Sequence, residues 1–154
     1  MPPIFNQDDG QVVKGAAFAL VGQILPRWDV NLSLQYLDAR LNTQNSVNNG
    51  KRLTLTPEFS SSLWTTVRLV RDIRLGGGLR YTDPVFINAA NTIQVPRYTV
   101  ADALIEAPIA RQLTLRLNIY NLTDRTYIRS INNNGGRYNP GTPRSFLLST
   151  AIRF

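Results

Sequence analysis

Apolar and polar residues alternate along most of this chain, with an apolar side chain at every second position. In residues 113–120, leucine and isoleucine alternate with threonine, arginine, asparagine and tyrosine. Successive side chains of a β-strand point to opposite faces of a sheet, so this segment has one apolar and one polar face. Residues 28–36 and 73–81 repeat the pattern. No segment keeps the spacing of an amphipathic helix over enough residues to predict one. The alternation therefore predicts an all-β protein.

The connections between the alternating segments differ regularly in length. Those after the first, third and fifth segments are tight, whereas 42–57, 83–97 and 122–143 are long, polar and rich in Asn, Gly and Pro. Short turns at one end and long loops at the other are typical of outer-membrane barrels. We predict an antiparallel up-and-down transmembrane β-barrel segment, incomplete because seven strands do not close an even-stranded bacterial barrel. The predicted strands are 12–25, 28–42, 58–70, 73–82, 98–107, 112–121 and 144–154.

No run of apolar residues reaches the roughly 18–20 positions that a membrane-spanning helix needs. The longest apolar patch, residues 16–25, is interrupted by Gly22 and Gln23. Barrel strands escape this criterion, because only every second residue must be apolar. A soluble β-sandwich is the alternative. Arginines at strand centres would then lie on its solvated face. However, a β-sandwich gives no reason for the regular alternation of short turns and long loops.

The last predicted strand favours the membrane barrel, because it ends the chain on an aromatic residue. Barrels place aromatic residues at both membrane interfaces, whereas soluble domains more often end in a polar tail. One face of this strand is apolar and resembles the C-terminal signal that the barrel-assembly machinery recognises. We assign that signal to Phe146, Leu148, Ile152 and Phe154.

Charge and composition narrow the function classes. The net charge of +7 is carried almost wholly by arginine, since Lys14 and Lys51 are the only lysines. Such a charge suggests nucleic acid as a partner, but the arginines are scattered through alternating strands without a recognition-helix pattern, so we predict no nucleic-acid binding. The chain has no cysteine and no histidine, which excludes thiol chemistry, disulfides and imidazole bases. We predict no enzyme, no catalytic residue and no metal site.

Residues 118–127, Asn-Ile-Tyr-Asn-Leu-Thr-Asp-Arg-Thr-Tyr, resemble the Asn-Leu-x-Asp-x-x-Tyr signature before the last loop of TonB-dependent receptors. The Pro-Gly-Thr-Pro-Arg stretch at 140–144 resembles siderophore receptors, and the Asn-rich loop at 129–141 resembles their catecholate-type branch. The resemblance covers nearly the whole chain beyond residue 11. It identifies 12–154 as the C-terminal strands of a receptor barrel and leaves 1–11 as a truncated leader or loop remnant. Because residues 1–10 lack a secretion signal, we expect the natural protein to begin upstream.

The resemblance implies a receptor in the bacterial outer membrane for ferric siderophores. Members of the family carry a plug domain inside a barrel of about twenty-two strands and a short box that contacts TonB. The implied partners are the ferric siderophore, TonB with its inner-membrane energising complex, the barrel-assembly machinery and outer-membrane lipids. Iron enters as the transported ferric siderophore, and no cofactor is bound covalently.

Basic residues in the long loops suggest where an anionic ligand binds. A basic mouth raises the local concentration of anionic ferric catecholates, and arginine stacks on flat rings while it pairs charge. We predict ligand contacts from Arg129, Arg137 and Tyr138, followed by Arg97 and Phe86. The alternative is that these side chains pair with lipopolysaccharide phosphates or with other loops.

Two function classes stay open. One is an energised receptor-transporter; the other is a passive or structural outer-membrane barrel, porin-like or oligomeric, without TonB. Within receptors, the ligand could instead be another siderophore, haem, a vitamin or a glycan, although the missing histidines weaken the case for haem. On the polar face, we expect Asp102 and Glu106 to pair with arginines. The three glycines at 76–78 are expected to permit strand bending or close packing.

Overall fold

The structure, a computed structural model, describes residues 9–43, 46–132 and 135–153. Seven strands form one sheet, and four short strands form two small sheets within the long loops. The strands are β1 Asp9–Leu25, β2 Trp28–Thr43, β3 Phe59–Arg68, β4 Arg74–Thr82, β5 Val85–Phe86, β6 Gln94–Val95, β7 Tyr98–Ala110, β8 Leu113–Tyr120, β9 Ile128–Ile131, β10 Tyr138–Pro140 and β11 Ser145–Ile152.

The large sheet is antiparallel and up-and-down, which confirms the predicted fold class. Its strand order is β1-β2-β3-β4-β7-β8-β11, so each long strand pairs with the next long strand along the chain. The order places β1 and β11 at the two edges, so the described sheet is open rather than closed into a barrel. Within the described residues, no helix is long and apolar enough to span a bilayer.

Strand boundaries differ from the prediction by two or three residues at four places. β11 ends at Ile152 rather than at residue 154. β1 begins at Asp9 rather than at residue 12. β3 ends at Arg68, because a single 3-10 turn, Val70–Asp72, follows it; both Arg71 and Asp72 have a φ of 57°. β7 continues to Ala110, with a register shift just after Pro108. Proline cannot donate to a strand ladder, and a β-bulge is one of the places where a sheet tolerates it.

The sheet register gathers the apolar side chains onto one face. Leu63 lies opposite Leu79, and Leu79 lies opposite Ala101. Further along the sheet, Ile105 lies opposite Leu117, and the ladder continues to β11. Many of these side chains are exposed, Leu79 by 50%. A soluble protein rarely exposes an apolar surface of this extent, so this face needs an apolar surrounding.

Aromatic residues lie at both ends of the apolar face. Trp28 is at the end with the short turns, where its Nε1 donates a hydrogen bond of 2.6 Å to Thr65 Oγ1. Tyr36, Phe59 and Tyr81 are at the end with the long loops, and the ring centroids of Phe59 and Tyr81 are 6.0 Å apart. Two aromatic girdles around an apolar band are typical of membrane barrels.

The opposite face is polar and carries ion pairs between neighbouring strands. Arg80 Nη2 lies 3.0 Å from Asp102 Oδ2. Glu106 accepts Arg74 Nη1 at 3.3 Å on one oxygen and Arg116 Nε at 2.6 Å on the other. The expected pairing of Asp102 and Glu106 with arginines is therefore confirmed.

Candidate functional site at the long loops

The three long loops lie at the same end of the sheet, because consecutive antiparallel strands return to that end. They are the first loop (44–58), the second loop (83–97) and the third loop (121–144). The strands β2, β4 and β8 lead into them, and β3, β7 and β11 lead out. Function in barrel proteins often resides in loops that a rigid sheet positions, so these loops form the candidate site.

Backbone and side-chain hydrogen bonds join the first loop to the second. Leu55 N donates to Phe86 O at 2.8 Å. Arg52 N donates to Asn91 Oδ1 at 2.8 Å, and Asn91 Nδ2 donates back to Arg52 O at 3.1 Å. Asn91 has a φ of 55°, a conformation that asparagine adopts more readily than most residues. The two loops therefore form one bonded unit.

Asn121 anchors both ends of the third loop. Its side chain is buried, and its Nδ2 donates to Arg125 O at 2.9 Å and to Thr142 O at 3.0 Å. Its Oδ1 accepts the Arg125 N–H at 2.9 Å, and its backbone N–H donates to Asp102 Oδ1 at 2.9 Å. The Asn121 side-chain amide thus closes the base of the loop, and the Asn121 backbone N–H ties that base to strand β7.

Tyr127 packs across the same base. Its ring covers Gly141, where a β-carbon would overlap the aromatic atoms, and Gly141 N donates to Tyr127 O at 2.8 Å. The ring centroid of Tyr98 is 4.5 Å away. Asp124 accepts the Arg144 N–H at 2.9 Å. The Asn, Asp and Tyr of the Asn-Leu-x-Asp-x-x-Tyr signature are therefore structural residues that close the third loop.

A cavity of about 230 Å³ opens between the three loops. Most of its walls are aliphatic, proline and aromatic side chains, and its charged lining residues are Arg129 and Asp83. All three loops contribute, together with the ends of β4 and β7. Its lining consists of Leu55, Pro57, Thr82, Asp83, Val85, Val95, Pro96, Tyr98, Ile128, Arg129, Ser130 and Ile131.

The cationic side chains of the loops fall into two groups. In the first group, Arg52 is paired with Glu58, Arg144 Nη2 lies 3.6 Å from Asp124 Oδ2, and Lys51 Nζ donates to Ala90 O at 3.0 Å. The other group is exposed, and among the described residues no carboxylate oxygen lies within 4.0 Å of its guanidinium nitrogens. This exposed group makes the loop end of the sheet basic. It consists of Arg97, Arg125, Arg129 and Arg137.

The structure brings only some of the predicted ligand-contacting residues together. Arg129 lines the cavity, and Arg97 follows directly after its lining residue Pro96. Phe86 is half-buried and bonds to the first loop through its carbonyl group. Arg137 and Tyr138 lie outside the lining, in or next to the β9–β10 hairpin, and both are exposed. Ligand contact by each of these five residues stays a prediction.

Sequence reasoning missed the apolar walls of the cavity. Leu55, Val85, Val95 and Ile131 lie in loops whose overall composition is polar, so they were not singled out. β-branched and aromatic residues inside a long polar loop, such as Val85 and Phe86 in β5 and Val95 in β6, are the signal that could have indicated them.

The predicted C-terminal signal is partly described. Phe146, Leu148 and Ile152 lie on the apolar face of β11 and are 60–66% exposed. Phe154 lies outside the described residues. Recognition of this strand by the barrel-assembly machinery stays a prediction.

Residues 2–122 match the protein family described as TonB dependent receptor-like, beta-barrel. The catecholate siderophore receptor Fiu of Escherichia coli K12 is 33% identical over 156 residues, which covers 97% of this chain and 20% of the relative. The probable TonB-dependent siderophore receptor PiuA of Acinetobacter baumannii is 32% identical over 75% of this chain and 17% of the relative. The chain thus spans about a fifth of the length of these relatives.

Solved structures agree with the sheet. The crystal structure of PiuA from Acinetobacter baumannii superposes with a TM-score of 0.85 at 27% identity, over 92% of this chain and 22% of that one. The closed form of the ferric-catecholate import receptor Fiu from Escherichia coli K12 gives a TM-score of 0.82 at 33% identity, over 94% and 21%. The open sheet therefore has the arrangement of about a fifth of a complete receptor.

Proposed function

Because this chain belongs to the TonB-dependent receptor β-barrel family, we propose that it supplies part of the barrel wall and three extracellular loops of a ferric siderophore receptor. The receptor resides in the bacterial outer membrane, and TonB with its inner-membrane complex energises uptake. The relatives named as siderophore receptors support the substrate class. Binding and translocation involve no covalent chemistry, and the iron is cargo carried by the siderophore.

The two faces of the sheet fit this placement. In a membrane barrel, the apolar face contacts lipid and the polar face lines the interior, here called the lumen. Unpaired backbone groups at a sheet edge are costly in lipid. The edges at β1 and β11 therefore pair with strands from the rest of the receptor. The barrel-assembly machinery and outer-membrane lipids are further proposed partners.

The observation that carries the ligand proposal is the apolar cavity with Arg129 at its wall. A ferric catecholate combines flat aromatic rings with negative charge. The cavity of about 230 Å³ exceeds the roughly 150 Å³ that is known to hold benzene. Aliphatic walls contact the ring faces, while the Arg129 guanidinium pairs with the catecholate oxygens or stacks on the ring. The exposed arginines around the opening attract the anion toward this cavity.

Equilibrium binding to the complete receptor in detergent tests this proposal, with a ferric catechol complex as the probe. Replacing Arg129→Ser removes a charge-assisted contact, so we expect affinity to fall about tenfold. Arg129→Lys keeps the charge without the planar group, so we expect its affinity to lie between those of the wild type and Arg129→Ser. Arg27→Ser, in a short turn at the other end of the sheet, is the control and leaves affinity unchanged. Unchanged affinity in Arg129→Ser contradicts the proposed contact.

A further inference from the structure

We propose that Tyr98 makes the cavity between the loops select aromatic iron chelators over non-aromatic ones, and that Tyr127 acts through Tyr98 as a positioning residue. The inference rests on the proposed function in one respect, because it requires the ferric ligand to enter this cavity. It goes beyond that function in assigning the choice between two chemical classes of ligand to one side chain.

A single aromatic ring reaches the cavity. Among the described residues, Tyr98 is the only aromatic residue in the lining. It is the first residue of β7 and lies opposite Thr82, which also lines the cavity. Alternate residues of a strand point to one face, so Tyr98 shares the polar face with Val100, which is 1% exposed. Tyr98 itself is only half-buried. Part of its surface therefore stays accessible at the cavity.

Tyr127 supports the Tyr98 ring without lining the cavity. The two ring centroids are 4.5 Å apart, with 33° between the ring planes, which is a close aromatic pair. Tyr127 is fixed in turn at the base of the third loop, where its ring covers Gly141 and its carbonyl oxygen accepts the Gly141 N–H at 2.8 Å. A side chain that is already held in place loses little freedom when a ligand binds. Tyr98 is therefore presented to the cavity as a preorganised surface.

Most of the other lining groups do not distinguish an aromatic ring from an aliphatic group. Side chains such as Leu55 and Val95 make similar apolar contacts with either. The charge of Arg129 attracts anionic chelates of both classes. Two aromatic rings in an offset or edge-to-face arrangement, in contrast, gain attraction beyond the area that they bury. Specificity is a difference between two affinities, so Tyr98 favours the aromatic class through this pairing.

No second aromatic side chain among the described residues can replace Tyr98 at the cavity. Phe86 and Tyr138, which the sequence suggested as ligand contacts, lie outside the lining. Tyr127 contacts Tyr98 and is likewise outside it. Removing the Tyr98 ring should therefore remove the aromatic contact from this part of the chain, and the loss can be measured.

Equilibrium binding of two anionic iron complexes to the complete receptor in detergent tests the inference. The aromatic probe is ferric catecholate, and the other is ferric oxalate, an anionic chelate without an aromatic ring. We expect the wild type to bind the catecholate more tightly. Tyr98→Leu should weaken catecholate binding about three- to tenfold and change oxalate binding by less than about twofold. Tyr98→Phe, which keeps the ring, should retain the preference.

The same pair of affinities tests the positioning role of Tyr127. Tyr127→Leu should reduce the preference for catecholate, and Tyr127→Phe should retain it. Because Tyr127 lies outside the lining, Tyr127→Leu also replaces Tyr98→Leu if the latter does not insert. Tyr36→Leu is the control, since it removes a ring from the apolar face at the same end of the sheet, away from the lining. It should leave both affinities unchanged.

Equal affinity of the wild type for the two probes overturns the inference, whether or not the variants insert. An equal loss for both probes in Tyr98→Leu also overturns it, because such a loss indicates a distorted cavity. TonB-dependent uptake of iron from the catecholate is measured in parallel with binding. If uptake is absent while the preference depends on Tyr98, the proposed function fails and the inference stands. If uptake requires TonB but the preference survives Tyr98→Leu, the inference alone fails.

Discussion

The indole of Trp64 covers Gly78 on the neighbouring strand, so closely that a β-carbon at Gly78 would overlap the Trp64 ring. The two residues are directly opposite each other in the β3–β4 register, on the polar face. Gly76 lies on the same face and also leaves space for the Trp64 ring, since a β-carbon there would be 3.1 Å from Trp64 Cζ2. Gly76 and Gly78 thus allow close packing of a tryptophan on the polar face, one of the two roles expected for the three glycines.

Gly78→Ala should destabilise the complete receptor by about 1–3 kcal/mol, because the added methyl group forces Trp64 out of place. Gly77→Ala is the matched control, since a β-carbon there meets nothing within 4 Å. In a Trp64→Ala background the overlap is absent, so Gly78→Ala should cause a smaller loss of stability than it does in the wild type. Thermal unfolding of the barrel in detergent measures each of these losses. Equal loss of stability at Gly77 and Gly78 would refute this packing role.

Leu117→Lys should impair insertion, because Leu117 lies on the apolar face between Ile105 and Leu148. A lysine facing lipid at the bilayer midplane costs about 2–4 kcal/mol. Asn118→Lys places the same side chain on the polar face one residue away and should insert normally. The amount of heat-modifiable barrel in outer-membrane fractions distinguishes the two variants. Normal insertion of Leu117→Lys would mean that this face does not contact lipid.

Asn121→Gly should loosen the third loop without unfolding the sheet. Asn121 has a φ of 49°, which glycine tolerates, so the variant tests the side chain alone. Without the side chain, the carbonyl groups of Arg125 and Thr142 lose their hydrogen-bond donor, which costs about 1–3 kcal/mol of local stability. Limited proteolysis should cleave within 121–144 faster than in the wild type. Asn139→Gly serves as control, because the exposed Asn139 side-chain amide bonds only to Ser130 among the described residues. Identical cleavage of the two variants would contradict the anchoring role.

Glu106→Gln should lower stability most at low salt. The substitution leaves Arg74 and Arg116 without their shared carboxylate. Both arginines are more than a third exposed, so we expect a loss of about 1 kcal/mol. Because added salt screens the repulsion among the arginines, the difference in stability between the variant and the wild type should be smaller at high salt. Thermal midpoints at low and high salt measure this effect, and a loss independent of salt would argue against electrostatic repulsion.

Period-two alternation was sufficient to predict the sheet, because a strand with one face in lipid must repeat apolar residues at every second position. The positions of β2, β4 and β8 follow from it almost residue by residue. The pairing of Glu106 with arginine could also be predicted, since a carboxylate among arginines on one polar face has few other partners. The start of β1 at Asp9 was missed, because residues 9–11 contain no apolar alternation.

The candidate site was harder to predict because its walls come from three loops that meet only in the fold. Arg129 was singled out from its charge, but the sequence around Leu55 and Val95 does not show that these side chains line the same cavity as Arg129. The sequence alone does not determine the face on which Trp64 lies, since serine and threonine occur on both faces of its strand. Its place opposite Gly78 depends on the β3–β4 register, which pairing between strands determines.

Uptake of radiolabelled iron supplied as a ferric catechol complex tests the central claim most directly. Cells that lack their own catecholate receptors would express the complete receptor, with and without TonB. We predict uptake that requires both the receptor and TonB and that falls with Arg129→Ser. Uptake that persists without TonB would indicate a passive barrel, and no uptake beyond that of cells without the receptor would contradict the claim.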